Sequence, residues 1–323
     1  VAIDKSNMKF EIPFCIGVSL LVTVLAFNFF NGSAISISRI DGMVRLLCFA
    51  GFMWYSFARD RKNQSKSAEV VEEEKTPMWL AIVKVVGGLA LLITSCDLFV
   101  DNAVVIAKSF GVNDAFISLT LIACGTSLPE LAASVAAAVK KNTQMALGNI
   151  VGSNIFNVLG ILGLTAICFP IAIDRKNMTF EIPFCIGVSV LLMFLALNFF
   201  NGTPATIGRV DGIILLLLFV GYMCYSFVRD QQQTTTDDAP VEAKEPILSL
   251  WVALLKIIGG LALLITSCDF FVDNAVLIAK SFGVNDAFIS LTLIACGTSL
   301  PELVTTLTAI RKKEASLSVG NII

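Results

Sequence analysis

Two glutamates, Glu130 and Glu302, end identical strings, Gly-Thr-Ser-Leu-Pro-Glu, each deep in an apolar stretch. No other charged residue lies between Asp114 and Lys140, or between Asp286 and Arg311. A bare carboxylate in a bilayer costs from about 3 to more than ~10 kcal/mol. A chain that carries one twice, each beside a proline, needs it to hold something positive. Pro129 has no backbone N–H, so the Gly125 carbonyl, four residues back, loses its helical donor. Thr126 and Ser127 add hydroxyl oxygens within a turn of Glu130. A freed carbonyl, two hydroxyls and a carboxylate are hard donors of the kind that suit Ca²⁺ and Na⁺. Gly297, Thr298, Ser299, Pro301 and Glu302 repeat the set. The competing reading is a plain proline kink with a glutamate facing a polar helix. Two copies in inverted halves weigh against it, because symmetry brings both to the middle of the membrane.

The stretch after the first glutamate helix begins Gly148-Asn149-Ile150-Val151-Gly152-Ser153-Asn154-Ile155-Phe156-Asn157. Asn149, Ser153 and Asn157 recur every four residues and share one helix face. Gly148 and Gly152 allow a second helix to approach closely. Packing and interhelical amide bonds alone would explain such a segment; its place directly after the glutamate helix adds a functional reading. Asp97, Asp101 and Asn102, repeated as Asp269, Asp273 and Asn274, lie towards the end of an apolar span. Bonds to neighbouring helices or the interface are favoured for them over an ion pathway.

Other chemistries are poorly served. There is no histidine, so imidazole ligation and histidine catalysis are excluded. Ser127 or Ser299 as a nucleophile would need a base, and these spans offer neither histidine nor lysine. No enzyme and no cofactor is expected. No basic face suggests nucleic acid. The nine cysteines fall mainly in apolar spans without CxxC pairs and read as small apolar helix residues with free thiols.

The chain is 56% hydrophobic and 15% charged, where soluble domains carry about 25% charge. Its apolar stretches are long enough to cross a hydrocarbon core of about 30 Å. An all-α, polytopic membrane protein is expected, embedded in a lipid bilayer. Internal repeats set the architecture. Residues 1–60 return as 171–230, and Gly87 to Leu131 returns as Gly259 to Leu303 with only Leu98→Phe270 and Val105→Leu277 changed. One repeat holds five spans, at about 78–107, 114–139, 147–168, 181–200 and 211–228. A preceding pair lies at about 11–30 and 42–57, and a following pair at about 249–279 and 286–310. The organisation is thus a two-span segment (1–60), a polar linker (61–77), a five-span repeat (78–230), a second linker (231–248) and a partial repeat (249–323). That makes about nine transmembrane helices. Five is odd, so the next copy enters from the opposite side, giving an inverted-topology repeat of the transporter kind. Lysines and arginines divide almost evenly between the two sides, so orientation is not fixed. The linkers, one with Glu72-Glu73-Glu74 and one rich in Gln, Thr and Asp, read as solvated connectors.

Gly-Thr-Ser-Leu-Pro-Glu followed by Gly-Asn-x-x-Gly-Ser-Asn resembles the α-repeat signature of the Ca²⁺:cation antiporter superfamily, to which the sodium/calcium exchangers belong. Among its members the chain looks most like the bacterial exchanger type, with ten helices in two inverted halves. The resemblance implies that Glu130 and Glu302 are the central ion-binding carboxylates, with Thr126, Ser127, Thr298 and Ser299 as supporting ligands, joined by Gly125 and Gly297 from the kinks. Ser153 and Asn157 match ligand positions on the next helix; some members have Asp in place of Asn157, which bears on ion preference. It implies a secondary antiporter exchanging Ca²⁺ for Na⁺ by alternating access in a cell membrane, the bacterial inner membrane. A proton/Ca²⁺ antiporter is the alternative within that class, and a non-transporting helical scaffold the alternative outside it. The chain departs from the pattern by starting two spans early and stopping within the second Gly-Asn motif at Ile323. It reads as a fragment, a permuted or a misassembled chain, with the mates of Ser153 and Asn157 not present and weak exchange expected.

Overall fold

The computed structural model describes residues 10–26, 36–64, 77–109, 123–172, 180–196, 207–233, 250–281 and 286–311. The longest helices are α3 (Met78–Ser109) and α10 (Leu250–Ser281). They pack side by side, in opposite directions. A Cβ on Gly88 would stand 3.0 Å from Phe271 Cα, and one on Gly260 would stand 3.1 Å from the Phe99 nitrogen. At one end Ser281 Oγ lies 3.8 Å from Met78 Sδ. Gly88 and Gly260 are repeat-mates, as are Phe99 and Phe271. The two close approaches are therefore one contact seen twice, and a local twofold axis crosses the pair near Ile93 and Thr94. Between lipid-embedded helices burial supplies no drive, so close backbone approach at small residues holds the pair. Leu92, Phe271, Val272 and Cys268 fill this seam and continue to Ala133, Ala137 and Ile294 on the glutamate helices.

Both glutamate helices are broken at the expected place. The first runs as α4 (Ala123–Thr126) and α5 (Leu128–Val139), interrupted at Ser127. The second comprises α11 (Asp286–Ile289), a π-helical turn (Ser290–Ile294), α12 (Ala295–Thr298) and α13 (Leu300–Arg311), interrupted at Ser299. Its two arms bend by 44°. The interruption falls two residues before each proline, where the ring removes a donor. Between the halves lies α6 (Thr143–Ile155), which continues through a π-helical turn (Phe156–Ile161) into α7 (Leu162–Cys168). Asn142 caps α6 by accepting a 3.0 Å bond from the Met145 nitrogen.

The flanking spans form matching hairpins. In α1 (Ile12–Ala26) and α2 (Arg39–Gln64), Phe14 stacks on Phe52 at 4.7 Å and Phe10 meets Tyr55 at 4.4 Å. In α8 (Ile182–Ala196) and α9 (Arg209–Gln233), Phe184 stacks on Tyr222 at 5.0 Å and Phe180 meets Tyr225 at 4.4 Å. The first hairpin leans on α6: Ile12, Val18 and Phe52 pack with Leu147, Val151, Ile155 and Leu291. One feature lies outside the all-helical expectation. Ser36–Ile37 pairs antiparallel with Ile171–Ala172, tying the entry of α2 to the exit of α7. Helices α2 and α9 also run on to Gln64 and Gln233, beyond the expected span ends, because Arg, Lys and Gln continue a helix readily into water.

The spanning count is lower than nine among the described residues. By length and hydropathy, Met78–Ala103, Thr143–Cys168, Arg209–Ser226 and Trp251–Ile278 can cross, and the bent pair from Ser290 to Leu307 is a fifth. Cys124–Val139 and Ile182–Leu195 are apolar but shorter. Helix α2 carries Arg39, Asp41 and Arg45 in its first two turns, which lowers its hydropathy. Large exposed apolar side chains, among them Leu47, Trp79, Leu216 and Trp251, give the outer surface a lipid-facing character.

Candidate cation site

The two broken helices meet, and they exchange side chains. Ser127 Oγ donates to Glu302 Oε1 at 3.0 Å, and Ser299 Oγ donates to Glu130 Oε1 at 2.6 Å. Each serine is the residue at the break of one half and serves the glutamate of the other. The pattern is closed under the same twofold axis as the Gly88 and Gly260 contacts. The two carboxyl groups stand as mutual neighbours, close enough to interact directly. Glu302 is fully buried. Glu130 is half-buried as a residue, yet its Oε2 is sealed from solvent and accepts no hydrogen bond. Two neighbouring carboxylates inside an apolar bundle are costly when charged, and a cation or a proton between them offsets that cost.

The sequence-derived candidates are placed as follows. Thr126, Thr298 and Ser299 are buried beside the breaks, and Ser127 is exposed. Thr298 Oγ1 donates back to the Ile294 carbonyl at 3.0 Å, which leaves its lone pairs for another partner. Ser153 is buried on α6 and donates to the Ile150 carbonyl at 3.1 Å. Asn157 is buried in the π-helical turn, and its Oδ1 is sealed and receives no hydrogen bond. That oxygen is available to a cation, and π-turns recur at functional sites. Gly152 sets the approach of this helix to the second half: a Cβ there would stand 2.6 Å from the Leu291 carbonyl oxygen. Ser290 Oγ also donates to the Met145 carbonyl across the same seam. The counterparts of Ser153 and Asn157 were expected after Ile323, and residues 312–323 lie outside the described residues.

Two further residues join the site. Asn149 Nδ2 donates to the Glu130 carbonyl at 3.1 Å and to Ser134 Oγ at 3.0 Å, anchoring the turn that carries the glutamate. Its four-residue spacing from Ser153 was the available signal. Cys96 Sγ donates to the Gly125 carbonyl at 2.8 Å. The carbonyl that Pro129 releases is therefore already engaged, and a cysteine read as bland packing is what engages it. Nothing in the local sequence marks Cys96, because the contact joins helices far apart in the chain.

At the rim, Lys140 follows α5 and reaches α10, with Nζ 2.6 Å from Asp273 Oδ1 and 3.2 Å from Asp269 Oδ1. Partial burial alone would lower the lysine's pKa, but the bonds to Asp273 and Asp269 outweigh it and hold the ammonium above its ordinary range. These two aspartates bridge helices, as favoured from the sequence. Among the described residues no group of three or more His, Cys, Asp or Glu side chains is arranged to hold a metal. The candidate centre is instead two carboxylates completed by neutral oxygens.

The chain belongs to the sodium/calcium exchanger protein family, whose model matches residues 80–228 and 252–323, within the Ca²⁺:cation antiporter superfamily. It is similar to the putative antiporter CaxA of Alkalimonas amylolytica, 38% identical over 247 residues, 76% of each chain. It is 34% identical over 256 residues to the inner membrane protein YrbG of Escherichia coli, covering 76% of this chain and 75% of that one. The sodium/calcium exchanger MaX1 of Methanosarcina acetivorans is 30% identical over 266 residues, covering 73% and 76%. A solved structure of the sodium-calcium exchanger NCX_Mj matches with a TM-score of 0.48 and 31% identity, over 76% of this chain and 77% of that one.

Proposed function

We propose that this protein exchanges Ca²⁺ for Na⁺ by alternating access, through one site shared between its two halves. The observation that carries the reading is the reciprocal pair of bonds, Ser127 to Glu302 and Ser299 to Glu130. Each half holds the other half's carboxylate, so a cation between them feels both. Two carboxylates match one divalent charge, and Thr126, Thr298, Ser153 and Asn157 supply neutral oxygens towards the six to eight that Ca²⁺ takes. Gly297 offers a carbonyl at the second break. Na⁺ neutralises the same pair in part and competes for it, so the site holds either load but not both in full. The Na⁺ gradient then drives Ca²⁺ out of the cell across its bounding membrane; the Escherichia coli relative is named for the inner membrane. The name of the Methanosarcina relative supports Na⁺ as counter-ion.

A second reading, H⁺ for Ca²⁺, draws on the direct contact between the carboxyl groups, since neighbouring buried carboxylates readily share a proton. Reconstituted proteoliposomes separate the two. An outward Na⁺ gradient should drive ⁴⁵Ca²⁺ uptake, at whatever rate, and a sodium ionophore should abolish it while a protonophore does not. Uptake that follows an imposed pH gradient and ignores Na⁺ favours the second reading. Uptake with neither gradient dependence contradicts both.

A further inference from the structure

Pro129 releases the Gly125 carbonyl, and the cation site lies one turn away; what happens to that oxygen decides whether it serves as a ligand. The structure gives it to Cys96, whose thiol donates from α3 at 2.8 Å. Cys96 is buried, so water does not compete for the bond. The other half has the same sequence here, yet Cys268, equally buried, makes no equivalent bond to Gly297. The contact is therefore not a reflex of the local sequence. It makes the two sides of the centre unequal.

We propose that Cys96 is a positioning residue that withholds the Gly125 carbonyl from the cation, setting Ca²⁺ affinity below what the full oxygen set would give. A thiol suits that role. It is a weak donor, so it occupies the oxygen without fixing it as a charged group would, and the ion remains able to leave. Restraint of this kind favours turnover over tight binding, because a transporter that holds its cargo too firmly releases it slowly. The inference rests on the shared-site reading and adds a residue that sets its affinity.

The test compares Cys96→Ala and Cys96→Val, which remove the donor, with Cys96→Ser, which keeps one. Equilibrium ⁴⁵Ca²⁺ binding to purified protein is measured beside the KM and kcat of Na⁺-driven Ca²⁺ uptake. Losing one modest hydrogen bond should tighten Ca²⁺ binding about two- to tenfold in the Ala and Val variants. Their KM and kcat should fall together, and the Ser variant should match wild type. Valine fills the volume of the thiol, so agreement between Val and Ala separates lost donation from a packing defect. Weaker Ca²⁺ binding in both donor-free variants, or a Ser variant that behaves like Ala, overturns the inference. So does binding unchanged in all three. If the wild-type protein itself binds no Ca²⁺, the shared-site reading fails, and the role of Cys96 falls with it.

Discussion

The crossed serine bonds are unequal, and the inequality makes a quantitative prediction. Ser299 Oγ lies 2.6 Å from Glu130 Oε1 and its residue is fully buried, whereas Ser127 Oγ lies 3.0 Å from Glu302 Oε1 and its residue is exposed. Ser299→Ala removes a donor from a position that is itself fully buried, so water does not take its place. Hydrogen bonds to charged groups contribute about 1.5–3 kcal/mol, and each ~1.4 kcal/mol is tenfold in affinity. Ca²⁺ affinity should therefore fall about 10- to 100-fold, as Glu130 loses both its orientation and a potential ligand oxygen. After Ser127→Ala, the vacated position is open to solvent and water can stand where the hydroxyl stood, so the fall should be nearer two- to tenfold, the range of a solvent-compensated bond. The double variant should fall short of the product, since both bonds belong to one network. Competition of unlabelled Ca²⁺ against ⁴⁵Ca²⁺ on detergent-solubilised protein reads all three. Equal losses in the two single variants, a larger loss for Ser127→Ala, or no loss for Ser299→Ala would refute the reasoning.

Three further outcomes are expected. Gly152→Ala puts a methyl where the Leu291 carbonyl oxygen is 2.6 Å away, so the seam must open at a cost of about 1–3 kcal/mol; a fall in melting temperature in detergent should show it, and an unchanged melt would mean that α6 does not cross the second half at this point. Arg45 is fully buried with all three guanidinium nitrogens lacking a hydrogen-bond partner, and the matching position in the next repeat is Leu215. Replacing a buried charge whose nitrogens lack hydrogen bonds by an apolar side chain is favourable where the Asp41 charge nearby does not repay its burial, so Arg45→Leu should raise the melting temperature, and a clear drop would show that the Asp41 attraction outweighs the burial cost. The Lys140 pair is partly exposed, so Lys140→Gln should cost only about 0.2–1 kcal/mol. Because the pair raises the lysine's pKa, its contribution is complete below the ordinary value of about 10.4 and lost as pH rises through the raised value; the melting difference between wild type and variant should hold at neutral pH and shrink as pH rises through that raised value, and a difference that grows with pH would reverse the assignment.

Much of the site was legible because the repeat wrote it twice. Proline two residues past each break, with glutamate next to it, marked where the helices part, and the opposed directions of α3 and α10 agree with the inversion expected from an odd span count. Which serine serves which glutamate was not legible. Ser127 is three residues from Glu130, and local geometry suggests they act together, but the crossing of the halves carries Ser127 to Glu302 instead. The same holds for Cys96 and Gly125, which only the packing of α3 against the first break brings together. Asn149 was seen on the right helix face, but its partner, the Glu130 carbonyl, is a backbone atom on another helix and leaves no mark in residue types. The short pairing of Ser36–Ile37 with Ile171–Ala172 escaped for a related reason: two residues carry no periodicity.

The account stands or falls on whether Glu130 and Glu302 form one site or two. Equilibrium binding of ⁴⁵Ca²⁺ to the purified protein, with the stoichiometry titrated in wild type, Glu130→Gln and Glu302→Gln, decides it. A shared site predicts one Ca²⁺ per chain in wild type and none in either single variant, with all three proteins equally folded, because one neutral amide leaves a divalent charge half-balanced away from water. Two Ca²⁺ per chain in wild type, with one retained in each variant, would contradict it.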